Sequence, residues 1–396
     1  MTTDGAPGPF RYPSTGDVWS GAGSADLLGR VLDELGLESC LAVITPSAAR
    51  DAAFVERLQA AAGGRLTAVF DAIEPHTPYG VVLAAASAAR AAGVDGVVSV
   101  GGGSAIDTAR LAALCVGEDV STADGLHALR VHDAQFPTAS ARALPHVALP
   151  TTLSAAEFSE GGAATCPWTH RKELFVGGCL ACRAVLVDPQ LACRTPPQTW
   201  VMTGVRALDH AVETILSPRA TPLVDELSSA AIVHLRTALP AALGAPGDQA
   251  VRAEGQLGAW LSYFGVGGGT LGLSHAIGHQ LGGRLGIAHG VASCIALPDV
   301  VRFVAPLAPG KIRCVARALG VDQAGAGDEA VAERAVAALD ELIRELGLPR
   351  RLSELDAPAV DLELLADAVL ADFLIGGAPG GAPPRADLIR LLESLV

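Results

Sequence analysis

The segment Gly96-Val-Val-Ser-Val-Gly-Gly-Gly-Ser-Ala-Ile-Asp107 decides the fold prediction, because an apolar run leads directly into a glycine-rich turn. The apolar run 96–100 is typical of a strand that is buried on both faces. Helical spacing then continues from the turn through Leu114. A buried strand that feeds a helix through a short turn predicts one βα unit of a parallel sheet.

The same alternation of strand-like and helix-like segments fills the first half of the chain. Further apolar runs predict strands at 40–45, 66–70, 146–149 and 184–187, and helical spacing predicts helices at 48–62 and 81–92. From about residue 191 we find no convincing strand, and helices are predicted at 197–216, 221–243, 248–265, 275–285 and 330–346. We therefore predict an α/β domain with a parallel sheet over residues 1–190 and an all-α domain over residues 191–396.

Composition and charge narrow the functional classes. The chain has 396 residues, of which 50% are apolar and 18% charged, so it can bury a large core. Its formal charge is −14 and its cationic residues are scattered, which argues against a nucleic-acid partner or an anionic membrane surface. The N-terminus lacks the pattern of an export signal, and charges interrupt the most apolar segments. Eight cysteines are too few for a disulfide framework, so we expect a cytoplasmic protein.

The glycine turn has the composition of an anion-binding site. Gly101, Gly102 and Gly103 can adopt positive φ and let the backbone approach an anion closely. Ser104 follows at the predicted start of a helix, where unpaired amides and the helix dipole favour a phosphate group. The alternative is a plain tight turn between strand and helix. We favour a pyrophosphate site, although the spacing is not the G-x-G-x-x-G of an ordinary Rossmann fingerprint.

Histidines in the predicted helical half form a second pattern. His210 lies in a predicted helix, and His275 and His279 are four residues apart, so these two share one helix face. His289 follows after a glycine-rich stretch. A set of this kind could bind a divalent metal, donate a proton to a carbonyl group, or do both.

Four motifs in this order resemble the iron-containing alcohol dehydrogenase family, which includes the maleylacetate reductases. They are the glycine turn 101–107, Pro150-Thr-Thr152, the Ala-Leu-x-His-Ala-x-Glu pattern of 207–213, and the segment with His275, His279 and His289. The resemblance implies a dinucleotide-binding α/β domain followed by a helical domain, the dehydroquinate synthase-like architecture. It also implies an active-site cleft between the domains and assembly as a homodimer.

The resemblance further implies roles for individual residues. The pyrophosphate of NADH or NADPH would be held by Gly101, Gly102, Gly103, Ser104, Asp107, Thr151 and Thr152. Lys172 would contact the ribose. No acidic residue follows the first predicted strand and Arg50 lies a turn later, so NADPH is admissible beside NADH. Three of the four metal ligands of metal-dependent members have counterparts here, namely His210, His275 and His289.

The chain departs from the metal-dependent members at the fourth ligand. Those members read Asp-Ala-Leu-x-His, and Arg206 stands where their aspartate stands. A guanidinium does not coordinate metals, and its repulsion of a dication at about 4 Å is on the order of 8 kcal/mol at an effective dielectric constant near 20. We do not expect Asp209 to replace the ligand, because helical geometry turns its side chain about 60° away. The sequence therefore predicts that the protein binds no metal there.

The maleylacetate reductases resemble this chain in lacking the aspartate, and they are usually metal-independent. A cationic Arg206 suits a substrate carboxylate, which a guanidinium holds through two parallel hydrogen bonds; alternatively, it pairs with Asp209 or Glu213. Our leading hypothesis is a metal-independent NAD(P)H-dependent reductase of a small carboxylated carbonyl or enone substrate. Its catalytic residues would be Arg206, His210, His275, His279 and His289, with His275 or His279 donating the proton or holding the enolate oxygen.

Two alternatives follow from the same residues. The first is a metal-dependent alcohol dehydrogenase that tolerates Arg206 and holds iron or zinc through the three histidines. The second is a family member that binds the cofactor but has lost hydride transfer and has a non-redox role. Ala155 and Ala156, which stand where the maleylacetate reductases carry Gly and Ser, motivate this second alternative together with Arg206.

Overall fold

The computed structural model describes residues 15–131, 142–169, 171–264, 266, 271–356 and 360–396. These residues fall into two compact units, which meet in sequence between Thr195 and Pro196. This division lies just beyond the boundary that we predicted after residue 190. We describe each unit separately.

The N-terminal unit is built on a parallel six-stranded sheet, which confirms the predicted fold class. The sheet has the strand order β1-β8-β5-β4-β2-β3, and β6 and β7 form a separate antiparallel pair. The strands are β1 (Asp17–Ser20), β2 (Cys40–Ile44), β3 (Leu66–Phe70), β4 (Gly96–Gly101), β5 (His146–Pro150), β6 (Gly161–Thr165), β7 (Lys172–Val176) and β8 (Ala184–Val187). The helices are α1 (Leu28–Glu34), α2 (Pro46–Ala49), α3 (Ala52–Ala61), α4 (Tyr79–Ala92), α5 (Gly103–Gly117), α6 (Ala123–Ala128) and α7 (Pro189–Ala192).

Burial on both faces explains why the central strands read as continuous apolar runs. Every residue of β2, β4 and β5 is buried. Alternate residues enter different cores, since Val98 and Val100 join one apolar cluster and Val97 joins another. Helices on both faces of the sheet supply the remainder of these clusters.

The sequence analysis missed three strands of this unit. The edge strand β1 has only four residues, and it pairs in parallel with β8. The hairpin β6–β7 begins with Gly161-Gly-Ala-Ala, which are residues with weak strand propensity. Neither segment therefore carries the β-branched pattern that identified the other strands.

The C-terminal unit is helical, as predicted, and has no strand among its described residues. Its helices are α8 (Pro197–Leu216), α9 (Pro222–Gly244), α10 (Gln249–Phe264), α11 (Leu273–Leu285), α12 (His289–Val304), α13 (Pro309–Ala318), α14 (Asp328–Glu345), α15 (Leu362–Leu370) and α16 (Arg385–Ser394).

Helix α12 was not predicted, because it is apolar on most of its circumference and contains Pro298. The stretch His289–Leu307 has a mean hydropathy of 1.5 and is long enough to cross a membrane by composition alone. Within the protein, however, 72% of this stretch is buried against other helices. Helix α12 is therefore a core helix of its unit.

A buried arginine joins helix α5 to the chain that follows β5. Arg110 is 1% exposed, and its Nη2 donates to the carbonyl oxygen of Ala156 at 2.8 Å. Its Nη1 donates to the carbonyl oxygen of Gly161 and lies 3.6 Å from Oδ1 of Asp107. This one side chain therefore fixes the start of β6 and the loop before it against α5.

The same region buries the carboxyl group of Glu157. Its Oε2 has no hydrogen-bond partner among the described residues. Burial raises the pKa of Glu157 to about 7, although the positive charge of Arg110 acts in the opposite direction. The folded protein therefore holds a proton on this carboxyl group at pH values where the unfolded chain has released it.

We predict that Glu157→Gln removes part of the pH dependence of stability. Because the folded-state pKa lies above the unfolded value, the contribution of Glu157 is fully present at low pH and is lost as pH rises through about 7. The free energy of unfolding of the wild-type protein should fall, relative to the variant, by on the order of 3 kcal/mol between pH 4.5 and 7. Urea unfolding across this range measures the difference. The exposed Glu56→Gln is the control, and parallel curves for wild type and Glu157→Gln would contradict the prediction.

Candidate active site

The glycine turn lies where the sequence analysis placed it, between the end of β4 and the start of α5. Gly101 has φ +156°, and a Cβ there would lie 2.5 Å from Cγ2 of Thr45. Gly102 has an ordinary φ of −91°, but a Cβ there would lie 2.8 Å from Cγ2 of Thr152. Of the three glycines, only Gly101 has a positive φ. Close packing against Thr152, rather than backbone conformation, therefore explains the glycine at position 102.

Thr151 and Thr152 are held beside this turn by the parallel pairing of β4 with β5. The backbone N–H of Thr151 donates to the carbonyl oxygen of Gly101 at 2.9 Å. Thr195 donates through Oγ1 to the carbonyl oxygen of Thr151 at 2.6 Å and fixes the other side of the loop. The threonine pair therefore lies at the carboxyl edge of the sheet, where ligands of open α/β sheets bind.

Asp107 and Lys172 complete the predicted cofactor set in this unit. Asp107 lies in the second turn of α5 and accepts a hydrogen bond from the backbone of Ala163. Burial raises the pKa of Asp107, and the positive charges of Lys172 and Arg110 act against that shift. Lys172, at the start of β7, is therefore close enough to act on Asp107 electrostatically. Contact of these residues with a cofactor stays a prediction.

The helical unit brings the four predicted histidines together in two pairs. The rings of His210 on α8 and His275 on α11 are stacked, with centroids 5.0 Å apart. The rings of His279 on α11 and His289 at the start of α12 have centroids 6.2 Å apart. Gly282 leaves room for this arrangement, because a Cβ there would lie 3.3 Å from Cε1 of His289.

Glu213 fixes the start of α11 and the orientation of His275. Its carboxylate accepts backbone N–H bonds from Gly272 at 2.8 Å, Ser274 at 2.6 Å and His275 at 3.3 Å. It also lies 2.7 Å from Nδ1 of His275. We assign the proton of neutral His275 to Nδ1, because a carboxylate accepts there, which leaves Nε2 as a hydrogen-bond acceptor. This Nε2 has no partner among the described residues.

Asp209 is wholly buried and points into the same cluster. Its Oδ2 accepts hydrogen bonds from the hydroxyls of Ser293 at 2.6 Å and Ser274 at 2.9 Å. Burial and the negative charge of Glu213 raise the pKa of Asp209, whereas the charge of Arg206 and the two serine hydrogen bonds act against that shift. Ligand-type atoms of Asp209, Glu213 and His275 all lie within 4.8 Å of one another. Asp209 therefore lies in the cluster, and our expectation that it does not replace the missing metal ligand stays a prediction.

Arg206 faces both the carboxylate and the imidazoles. Its Nη1 lies 3.7 Å from Oδ2 of Asp209 and donates to Oγ of Ser293 at 3.3 Å, so it does pair with Asp209. Burial lowers the pKa of His210 and His275 well below the usual value, and the charge of Arg206 lowers both further. The pairing with Asp209 that the sequence left open is therefore present. Binding of a substrate carboxylate by Arg206 stays a prediction.

Sequence reasoning missed Asp372, which lies after α15. Its Oδ2 is 3.1 Å from Nδ1 of His279 and accepts a hydrogen bond from Gln280 at 3.1 Å. The ring of the next residue, Phe373, has its centroid 5.8 Å from that of His279. No sequence signal could connect Asp372 to His279, because 93 residues separate them.

The protein combines a parallel sheet that has a glycine turn at its carboxyl edge with a helical unit that has a buried histidine cluster. It is an NAD(P)-dependent oxidoreductase, as its relatives are. Residues 15–189 match the family description "Iron-containing alcohol dehydrogenase", and residues 200–396 match "Fe-containing alcohol dehydrogenase family, C-terminal". The chain belongs to the iron-containing alcohol dehydrogenase family.

Two relatives illustrate the range of substrates in this family. The chain is 29% identical over 384 residues to a lactaldehyde reductase of Escherichia coli K12, covering 95% of this chain and 97% of the relative. It is 30% identical over 379 residues to a maleylacetate reductase of Pseudomonas sp. strain P51, covering 96% of each.

The similar solved structures also include enzymes that are named for different substrates. A 1,3-propanediol oxidoreductase superposes with a TM-score of 0.90 at 25% identity, covering 98% of this chain and all of the other. A maleylacetate reductase from Agrobacterium tumefaciens superposes with a TM-score of 0.78 at 25% identity, covering 98% of each chain. Similarity alone therefore does not select one substrate class.

We predict that Gly102→Ala weakens the binding of NADH and NADPH by about tenfold or more, because the new Cβ would lie 2.8 Å from Thr152 and displace the turn. Fluorescence titration with each nucleotide measures the loss. Gly80→Ala, where a new Cβ would meet nothing within 4 Å, is the control and should bind both nucleotides as the wild type does. Unchanged affinity in Gly102→Ala would contradict a role for this turn in binding the nucleotide.

Proposed function

We propose that the protein is a metal-independent NAD(P)H-dependent reductase of a small carbonyl or enone substrate that carries a carboxylate. The reaction would be similar to that of the maleylacetate reductases among its relatives. The observation that supports this proposal is the position of Arg206, whose guanidinium lies beside Asp209 and close enough to His210 and His275 to act on them electrostatically.

The charge of Arg206 is the feature that does not suit a resident dication. Within the described part of the chain, Nε2 of His275 is a free acceptor, because Nδ1 is bonded to Glu213, whereas Oδ2 of Asp209 already accepts two hydroxyl hydrogen bonds. The Arg206 side chain is only 13% exposed, so solvent screens its charge weakly. A dication among the imidazoles would therefore meet a permanent positive charge at close range.

The same charge suits an anionic substrate. A guanidinium carries five N–H donors in a planar fork, which matches the two oxygens of a carboxylate. A buried carboxylate is stabilised most strongly where a cation has already been desolvated for it. Arg206 would therefore anchor the substrate and set its orientation toward the reduced nicotinamide, which supplies the hydride when the cofactor is bound.

Hydrogen bonding distinguishes His279 from His275 as the proton donor. His275 presents Nε2 as an acceptor, because its Nδ1 proton is directed at Glu213. His279 is 24% exposed, and Oδ2 of Asp372 lies 3.1 Å from its Nδ1, so the ring is both accessible and held in one orientation. We therefore assign proton donation to His279, with Asp372 as its positioning residue. His210, His275 and His289 would shape the pocket around the substrate oxygen.

We predict that the purified protein oxidises NADH or NADPH with maleylacetate or a similar oxo-acid, and that EDTA leaves the rate unchanged. Complete loss of activity in EDTA, with recovery on adding iron or zinc, would contradict the proposal. Cofactor binding without turnover of any aldehyde, ketone or oxo-acid would instead support the alternative of a member that has lost hydride transfer.

Variants of Arg206 provide the matched control for this experiment. Arg206→Asp should gain one equivalent of tightly bound iron or zinc relative to wild type, because it restores an anionic ligand. Arg206→Lys should gain none, but it should raise the KM for the oxo-acid by about tenfold, because an ammonium makes no bidentate contact. A dication that is held by the wild-type protein and lost in His210→Ala would contradict metal independence.

We predict that Asp372→Asn lowers kcat by about tenfold or more while changing the KM for the oxo-acid little, because proton donation by His279 is impaired. Asp372→Glu, which keeps the carboxylate, should recover part of kcat. Steady-state kinetics of both variants measure these effects. A fall in kcat that follows the unfolding midpoint and that Asp372→Glu does not reverse would show that Asp372 is merely structural.

A metal-dependent alcohol dehydrogenase is the second candidate. The grouping of Asp209, Glu213 and His275 favours it, together with the buried Nδ1 of His210, which has no partner among the described residues. The Arg206 variants decide between the two candidates. The choice between NADH and NADPH, cytoplasmic location and a homodimer stay predictions from the sequence.

A further inference from the structure

A second group of metal-ligating side chains lies in the N-terminal unit, which does not contain the histidine cluster. His127 lies on α6, Cys166 directly follows β6, and Glu173 lies on β7. One ligand atom from each residue falls within 4.8 Å of the other two. Nδ1 of His127 and Oε2 of Glu173 are 2.9 Å apart.

The three donors match the preferences of zinc. Zinc binds thiolate sulfur at about 2.3 Å and imidazole nitrogen or carboxylate oxygen at about 2.0–2.2 Å, so tetrahedral ligands lie roughly 3–4 Å apart. A thiolate and a carboxylate together neutralise the charge of a dication. A thiolate also selects against magnesium and calcium, which prefer oxygen ligands.

Burial supports a structured site with one open side. Cys166 is wholly buried and the Glu173 side chain is 12% exposed, whereas His127 is 30% exposed and borders the exposed Trp168. The hydroxyl of Tyr79 donates to Glu173 and holds the carboxylate in place. Solvent can therefore supply the fourth ligand on the side of His127.

Arg130 does not occupy the site in the way that Arg206 occupies the histidine cluster. Its Nε is 3.7 Å from Oε1 of Glu173, whereas Oε2 faces His127. Its Nη1 donates to the backbone oxygen of His127 at 2.7 Å, and its side chain is 24% exposed. The charge of Arg130 is therefore directed at the outer carboxylate oxygen and partly screened by solvent.

We propose that His127, Cys166 and Glu173 form a zinc-binding site that joins α6 to the hairpin β6–β7. The site clamps two elements that are far apart in sequence, so its effect is on the stability of the N-terminal unit. It is independent of the proposed catalytic chemistry.

Cobalt substitution tests the site directly. Protein treated with a chelator and then given one equivalent of Co²⁺ should develop a thiolate-to-cobalt charge-transfer band, and Zn²⁺ should abolish it. Bound Co²⁺ should also quench Trp168, whose ring centroid is 5.4 Å from that of His127, and Trp168→Phe should lose this quenching. Cys166→Ser should lose the band, and His127→Gln should weaken cobalt binding at least tenfold.

Two controls make the result specific. Cys115→Ser alters another thiol of the same apolar cluster and should keep the band. Cys294→Ser should also keep it; burial, and then the charge of Asp209, raise the pKa of that thiol in the helical unit. A band that is absent from the wild type, that survives in Cys166→Ser, or that disappears in Cys294→Ser would overturn the proposal.

Thermal unfolding separates this proposal from the proposed function. Zinc should raise the Tm of the chelated wild-type protein by about 2 °C or more and should leave Cys166→Ser unchanged. An equal zinc effect on both proteins would overturn the site. A chelator that abolishes activity equally in wild type and Cys166→Ser would overturn metal-independent catalysis and leave this site supported by its cobalt spectrum.

Discussion

The buried charge of Arg206 is the constraint on which the chemistry of the helical unit depends. A guanidinium that is largely withdrawn from water requires a counter-charge, and Asp209 supplies it at 3.7 Å. Removing one partner of such a pair typically costs about 3–5 kcal/mol, because the other charge is left buried and alone. Asp209 is in turn held by two serine hydroxyls from different helices. The hydrogen bonds of this pair to the two serines therefore tie α8 to α11 and α12, and the charge of Arg206 acts on the imidazoles.

Glu213 adds a second, separate constraint to the same helices. Its carboxylate accepts hydrogen bonds from three backbone amides at the start of α11. Unpaired N–H groups and the helix dipole favour an anion at that position. The same carboxylate holds Nδ1 of His275. The position of α11 and the direction of one imidazole are therefore set by a single side chain from α8, which explains how a glycine-rich segment can present histidines with a defined geometry.

The sequence was sufficient for those features whose cause is local. The continuous apolar run of β4 predicts the buried strand, and the glycines after it predict the close-packed turn. The hairpin β6–β7 was missed because its glycines and alanines carry little strand preference. Helix α12 was missed because burial all round leaves no polar face to define a period.

The same distinction between local and long-range causes applies to the candidate active site. His210, His275, His279 and His289 were identified from their spacing and from a family resemblance, and the structure brings them together in pairs. The partners that orient them could not be read from sequence, since Glu213 meets His275 across 62 residues and Asp372 meets His279 across 93. The serine partners of Asp209 were not predictable either, because an isolated helix does not show which neighbours it will face.

Gly290 has a consequence for how this enzyme could diversify. A Cβ at Gly290 would lie 2.2 Å from the backbone oxygen of Met202, so α8 and α12 touch main chain to main chain next to His289. Cγ of Met202 would lie 2.8 Å from the same Cβ, so position 290 accepts no side chain and laboratory evolution has nothing to adjust there. Phe373 is 55% exposed, and its ring borders that of His279. New substrate preferences should therefore accumulate at Phe373, while the contact of α8 with α12 remains as it is.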